Sequence, residues 1–227
     1  MTNPEQTQHV QTHAIAVRIT HWLMALAMLI MIGSGWRIYN ASPIFGFSFP
    51  CWIVLGGDVD TALARHNDPG VASGIAWHLA TMWLLFASYV LYLFWGIVSG
   101  HFWRDFLPVR PMAFLRDFFA AATFRLEHRL GEYNAVQRVF YWGVLALVAL
   151  MVVSGIAIWK PVQTYPLEVV FGGFQGARIV HFLGMSAIVA FLVVHVTLVV
   201  LVPRTFVAMV LGRAVQPEPQ VETEEYL

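Results

Sequence analysis

Between Arg178 and Arg204 the chain contains no Asp, Glu, Lys or Arg. A run of that length crosses a bilayer as a helix, which takes about 20 apolar residues. It nevertheless carries two histidines, His181 and His195, and ionisable groups at membrane depth are costly unless they have a partner or a function. Their spacing is 14 residues. At about 100° and 1.5 Å per residue, this turns the second to within about 40° of the first and separates them by roughly 21 Å along the axis. The two share a face and cannot share a metal. Such a stack fits two separate cofactors, one near each membrane surface, each completed by a ligand from another helix.

Composition agrees with a membrane setting. The chain is 59% hydrophobic and 11% charged, where soluble domains carry about 25% charged residues. Its net charge of zero points to neither a nucleic acid nor an acidic substrate, so only the distribution of charge is informative. The single cysteine, Cys51, excludes an intrachain disulfide and a C-x-x-C-H attachment. Any haem here is held non-covalently. The polar N-terminus lacks the basic region and small-residue cleavage site of a secretory signal, so the first apolar segment is expected to be retained.

Taken in order, residues 1–14 read as a disordered tail holding two free histidines, His9 and His13. Residues 19–36, between Arg18 and Arg37, form a first span with His21 near its start and Trp22 and Trp36 at its ends. Residues 40–68 are broken by Pro43, Pro50, Gly46 and the Gly56-Gly57 pair. They are expected to lie on the membrane surface, with a short helix around residues 60–65 and His66 beside it. A second span covers residues 74–97, with His78 near its start. Residues 104–138 hold six arginines against four acids, and residues 112–126 have the spacing of an interfacial amphipathic helix. His101 and His128 read there as solvated or interfacial. Residues 139–159 form a third span and the opening stretch a fourth, followed by an acidic tail over residues 205–227. The expected architecture is all-α: a four-transmembrane-helix bundle over residues 15–204 with one amphipathic loop helix.

Orientation follows from charge. With four spans both termini share a side, and nine basic residues lie on it (Arg18, the six of the long loop, Arg204, Arg213) against four opposite (Arg37, Arg65, Lys160, Arg178). The termini are therefore expected in the cytoplasm. Depth then pairs His21 with His195 on the inner side and His78 with His181 on the outer side, each pair able to clamp one haem iron axially. Gly33, Ser34 and Gly35, and Ser154 with Gly155, serve either close approach of a macrocycle or helix–helix packing. A lone membrane histidine is commonly a hydrogen-bonding residue between helices. Four on three spans, matched in depth, suit haem better than a zinc or proton-conducting site, because one metal cannot collect both layers and no intramembrane carboxylate is present.

Several local patterns together resemble the bacterial di-haem cytochrome b superfamily, of the cytochrome b-561 type. They are Arg18-Ile19-Thr20-His21-Trp22, the Ser34-Gly35 pair, Tyr133-Asn134-Ala135-Val136-Gln137, and the spacing of His181 and His195. That superfamily includes membrane subunits of formate dehydrogenase, nickel–iron hydrogenase and thiosulfate reductase. The resemblance implies two b haems stacked across the bacterial inner membrane, passing electrons between the quinone pool and a periplasmic redox partner. It also implies a cytoplasmic quinone site near Asn134 and Gln137, beside the haem of His21 and His195. The loop over residues 40–68 does not match that pattern.

Other residues keep two readings. Arg18 and Arg138 on the inner side, and Arg37, Lys160 and Arg178 on the outer, are candidates to neutralise haem propionates or are interfacial anchors. Asn134 and Gln137 offer amide donors to a quinone, or form a capping box at the start of the third span. The functional alternatives are a stand-alone quinone-linked cytochrome acting on a small diffusible redox molecule and a haem-free channel or transporter.

Overall fold

The computed structural model describes residues 7–11, 13–55, 70–107, 110–123 and 134–217. Its helices are α1 (Ile15–Ala41), α2 (Gly70–Val98), α3 (Pro111–Ala122), α4 (Ala135–Trp159), α5 (Tyr165–Val170), α6 (Gly173–Leu201) and α7 (Pro203–Leu211). Four of them, α1, α2, α4 and α6, are long and apolar enough to cross a membrane. The first runs past Arg37, where the sequence reading ends the span. Arg37 is fully buried, and its side chain crosses α2 at Gly74, where a Cβ would come within 2.7 Å of Arg37 Cγ. A missing side chain on one helix thus makes room for a long cation on the next.

The closest packing among the four spans is within two hairpins, α1 with α2 and α4 with α6. Small residues at helix contacts permit that approach in a membrane, where apolar burial gives helices little reason to associate. Between the hairpins lies a cavity of about 460 Å³.

The connection after α1 differs from the expected surface loop. Asn40 clamps it by donating from Nδ2 to the Phe49 carbonyl and accepting from the Phe49 amide at Oδ1, both at 2.8 Å. The chain then descends beside α1 until the Leu55 amide donates to the Gly33 carbonyl at 3.0 Å. Irregular backbone at that depth survives only where protein satisfies its polar groups. Gly33 provides the close contact, since a Cβ there would lie 3.3 Å from Leu55 Cβ. The helix expected around residues 60–65, and His66, lie outside the described residues.

After α2 a π-helical turn, Phe102–Phe106, leads towards α3. The amphipathic α3 is tied to α4 by Asp117, which is buried and accepts the Ala135 amide at 3.0 Å. His128 lies outside the described residues.

The tails also differ from the expectation of structureless ends. Thr7–Gln11 pairs antiparallel with Arg213–Pro217, and α7 occupies the start of the expected C-terminal tail. Arg18 fixes α7 by donating to the Val210 carbonyl and, at 3.3 Å, to that of Met209. Gly212 ends α7 at φ 74°, and Arg18 packs on it so closely that a Cβ would lie 2.6 Å from Nη1. An even number of spans brings both ends to one side of the bundle, and the two extended segments satisfy each other's backbone there.

Candidate functional site

Two pairs of histidines face each other across the bundle. At the end that carries both termini, His21 of α1 faces His195 of α6 with ring centres 6.2 Å apart. At the opposite end His78 of α2 faces His181 of α6 at 6.3 Å. These near and far pairs are the ones matched by depth in the sequence. Among the described residues no three His, Cys, Asp or Glu side chains converge as a metal cluster. A metal bound by imidazole at about 2.0–2.1 Å, with each ring centre roughly 1.1–1.2 Å behind its nitrogen, holds two trans rings roughly 6.2–6.6 Å apart. Both gaps would accommodate one metal ion held between two imidazoles.

The far pair is oriented by serines. Ser34 Oγ donates to the Ile30 carbonyl at 2.7 Å and lies 3.0 Å from His78 Nδ1. Ser154 Oγ donates to the Leu150 carbonyl at 2.7 Å and lies 2.9 Å from His181 Nδ1. A hydroxyl that has given its proton to its own helix can only accept from the ring. Each imidazole therefore carries its proton on Nδ1 and keeps the Nε2 lone pair for a ligand, the arrangement that outer hydrogen bonds impose on metal-binding histidines. Gly35 and Gly155 seat the rings, since a Cβ would stand 3.4 Å from His78 Cε1 and 3.2 Å from His181 Cε1. Both glycines line the 460 Å³ cavity with Met31, Met151, Phe182 and Arg178. That volume is within the roughly 300–1,000 Å³ of cofactor pockets.

The near pair is framed by aromatics. Trp22 meets the His21 ring edge-on at 5.2 Å and touches Phe206 of α7 at 5.9 Å. Phe191 stacks on His195 at 5.6 Å. Nδ1 of His21 is buried with no hydrogen-bond partner among the described residues, which leaves this ring in need of a further group.

The five candidate cations separate. Arg37 is buried one turn beyond Ser34, and Arg178 lines the far cavity while donating to the Ser42 carbonyl at 2.5 Å and to Gln175 Oε1 at 3.0 Å. Arg18 is engaged by the carboxyl end of α7. Exposed Lys160 sits 4.8 Å from the Trp159 ring centre, an anchoring position. Arg138 lies in the first turn of α4 and is half-buried.

Asn134 and Gln137 form the capping box at the start of α4: the Gln137 amide donates to Asn134 Oδ1 at 2.8 Å, and the Asn134 amide donates to Gln137 Oε1 at 3.1 Å. The box uses both side-chain oxygens and does not use their NH2 groups.

Two histidines are placed differently from the sequence reading. His101 is buried rather than solvated, with Nδ1 2.5 Å from Asp105 Oδ2. His13 is half-buried rather than free in a tail. Burial, and then the nearby His101 and Arg18, push it below the usual imidazole range. Single-span hydropathy carries no signal for either: His101 pairs with Asp105 within a turn outside the spans, and His13 lies near His101 and Arg18. The Ser-Gly pairs at the matching ends of α1 and α4 were the visible signal for the serine contacts.

Fold and site together define a class: a multi-pass membrane protein whose helices set imidazoles face to face across cofactor-sized gaps, as in membrane b-type cytochromes. The chain belongs to the prokaryotic cytochrome b561 family, whose profile matches residues 12–212. It is 44% identical over 201 residues to a putative protein-methionine-sulfoxide reductase subunit of Azospira oryzae, covering 88% of this chain and 96% of that relative. It is 26% identical over 206 residues to the cytochrome b556 subunit of an Escherichia coli formate dehydrogenase, covering 86% and 81%. A probable Ni/Fe-hydrogenase B-type cytochrome subunit of Bradyrhizobium diazoefficiens is 22% identical over 205 residues, covering 82% and 76%. The family implies haem b and an electron-transport role, which removes the channel or transporter reading.

Proposed function

We propose that this chain is a quinone-linked di-haem cytochrome, one haem b held by His21 and His195 and the other by His78 and His181. The observation that carries the reading is the pair of matched imidazole gaps, 6.2 and 6.3 Å across. A haem with two histidine ligands has no open position and supplies one-electron transfer. The chain's residues supply the rest. Ser34 and Ser154 fix the ring protons of the far pair. Arg178 sets positive charge at the far cavity, where propionates would seek it, Arg37 lies buried against Gly74 of α2 one turn from His78, and the apolar lining excludes water. Asn134 and Gln137 offer amide donors to quinone carbonyls at the near end. The nine-to-four division of basic residues supports a near end and both termini on the cytoplasmic side of a bacterial inner membrane.

The relatives weigh on what lies at the other end. The 44% identical one is named for the reduction of an oxidised sulfur side chain, whereas those named for formate dehydrogenase and hydrogenase stand at 26% and 22%. This favours a quinone-linked cytochrome whose electrons leave quinol and reach an oxidised sulfur compound, over one that feeds quinone from a periplasmic dehydrogenase. Adding a soluble quinol to the purified chain should reduce two low-spin b haems, and methionine sulfoxide, which takes two electrons and two protons to give the thioether and water, is the acceptor to test for their reoxidation with and without a catalytic partner. Reoxidation by the sulfoxide alone marks a stand-alone cytochrome, and reoxidation only with a catalytic partner marks a subunit. A chain with fewer than two low-spin haems, or haems that quinol does not reduce, refutes the proposal.

A further inference from the structure

The two halves of the chain carry one pattern twice. Adding 120 to the residue numbers of α1 gives α4 and pairs Arg18 with Arg138, Trp22 with Trp142, Met31 with Met151, Ser34 with Ser154 and Gly35 with Gly155. Adding 103 to those of α2 gives α6. Both helices are 29 residues long and begin on glycine, and the shift pairs His78 with His181 and Met82 with Met185. A surface helix with proline at its first position follows each hairpin, α3 at Pro111 and α7 at Pro203.

The geometry repeats with the sequence. Each serine bonds its own helix at 2.7 Å and the facing histidine at 2.9–3.0 Å. The equivalence exchanges the hairpins as a quasi-two-fold would. It maps His78 onto His181, so the far site lies on the axis and is its own mate. The near site is not its own mate. His21 maps onto Tyr141, and His195 onto Tyr92.

We infer that the space between Tyr92 and Tyr141 is a third tetrapyrrole slot, the symmetry mate of the near site, closed in this chain by a wedge of two phenylalanines. The π-helical turn inserts Phe102 and Phe106 there. The rings run in series from Tyr92 to Phe102 at 5.6 Å, to Phe106 at 5.5 Å and to Tyr141 at 5.2 Å. Both phenylalanines are among the most buried residues of the bundle, at 4% and 3% exposure. Gly96 admits the wedge, since a Cβ there would lie 2.3 Å from Phe102 Cζ. Its equivalent on α6, one turn from His195, is Val199. The bond from His101 to Asp105 fastens the wedge across its own turn. One half of the bundle thereby keeps a cofactor position that the other half fills with protein, and electrons at the near end converge on the His21–His195 side.

This inference rests on reading the histidine pairs as haem ligands, and it is tested on the full chain by haem count. In F102A/F106A with both tyrosines kept, added hemin should bind as one further equivalent per chain with the high-spin spectrum of a tyrosine-ligated haem. In Y92H/Y141H/F102A/F106A it should bind as one further low-spin equivalent. No additional equivalent in either variant overturns the inference. Loss of the resident haems from both also overturns it, because the slot is separate from the far and near sites. A wild-type chain lacking haem would sink the proposed function instead. A wild-type chain with two haems, and variants that gain none, sinks the slot alone.

Discussion

Ser154 Oγ lies 2.9 Å from His181 Nδ1 while donating to the Leu150 carbonyl of its own helix. One hydroxyl thus fixes both the protonation site and the angle of a ring on the neighbouring span, and Ser34 does the same for His78.

Ser154→Ala and Ser34→Ala should therefore weaken the far site without disturbing the near one. Removing an outer-shell partner of a metal-binding histidine typically costs about 10–100-fold in affinity. Haem loss followed through repeated washing should be faster for the far haem, and unchanged retention of both haems would show that the serines only pack.

Truncating the ligands should separate the layers. His181→Ala or His78→Ala should remove the low-spin signal of one haem, and His21→Ala or His195→Ala that of the other. His9, His13 and His66 should be dispensable. Low-spin haem counting decides the matter, and equal loss of both haems in all four variants would indicate collapse of the bundle.

The capping box gives Asn134 two roles that substitution can divide. Asn134→Ala should destabilise α4 by about 1 kcal/mol through the lost cap. Asn134→Ser keeps a capping oxygen but withdraws the NH2 donor. Stability should then be near wild type while haem oxidation by a soluble quinone slows. A wild-type rate in Asn134→Ser removes the residue from any quinone site.

Acid should loosen the wedge. Burial pushes the Asp105 carboxyl up, but bonds from Arg104 and His101 outweigh it and hold the group below its ordinary value of 3.8. The native state then binds fewer protons than the unfolded one, so this contribution is complete above the ordinary value and is lost as pH falls through the native one. His13, which is also lowered, adds a loss that begins higher, below its ordinary 6.5. Thermal stability followed from about pH 7 to pH 3 should fall in both regions. Asp105→Asn should flatten the lower one only, and an unchanged profile in that variant would show that Asp105 does not hold the turn.

Much of the site was legible in the chain because its cause is local. Bilayer thickness and helical rise fix how deep His21, His78, His181 and His195 lie, and depth alone leaves one sensible way to pair them. The capping box is equally local, as Asn134 and Gln137 stand three residues apart. Contacts between distant segments had no such signature. Arg37 reads as the end of a span until Gly74 of α2 makes room to bury it. The segment ending at Leu55 reads as surface until the Gly33 carbonyl gives its backbone a partner at depth. Thr7–Gln11 and Arg213–Pro217 read as loose ends until an even number of crossings sets them side by side. His101 reads as solvated or interfacial until it packs against Phe106, which is itself covered by Tyr141 of α4. Sequence determined what each helix carries and how deep it lies. Tertiary structure decided which polar groups find partners, because those partners are supplied by other segments.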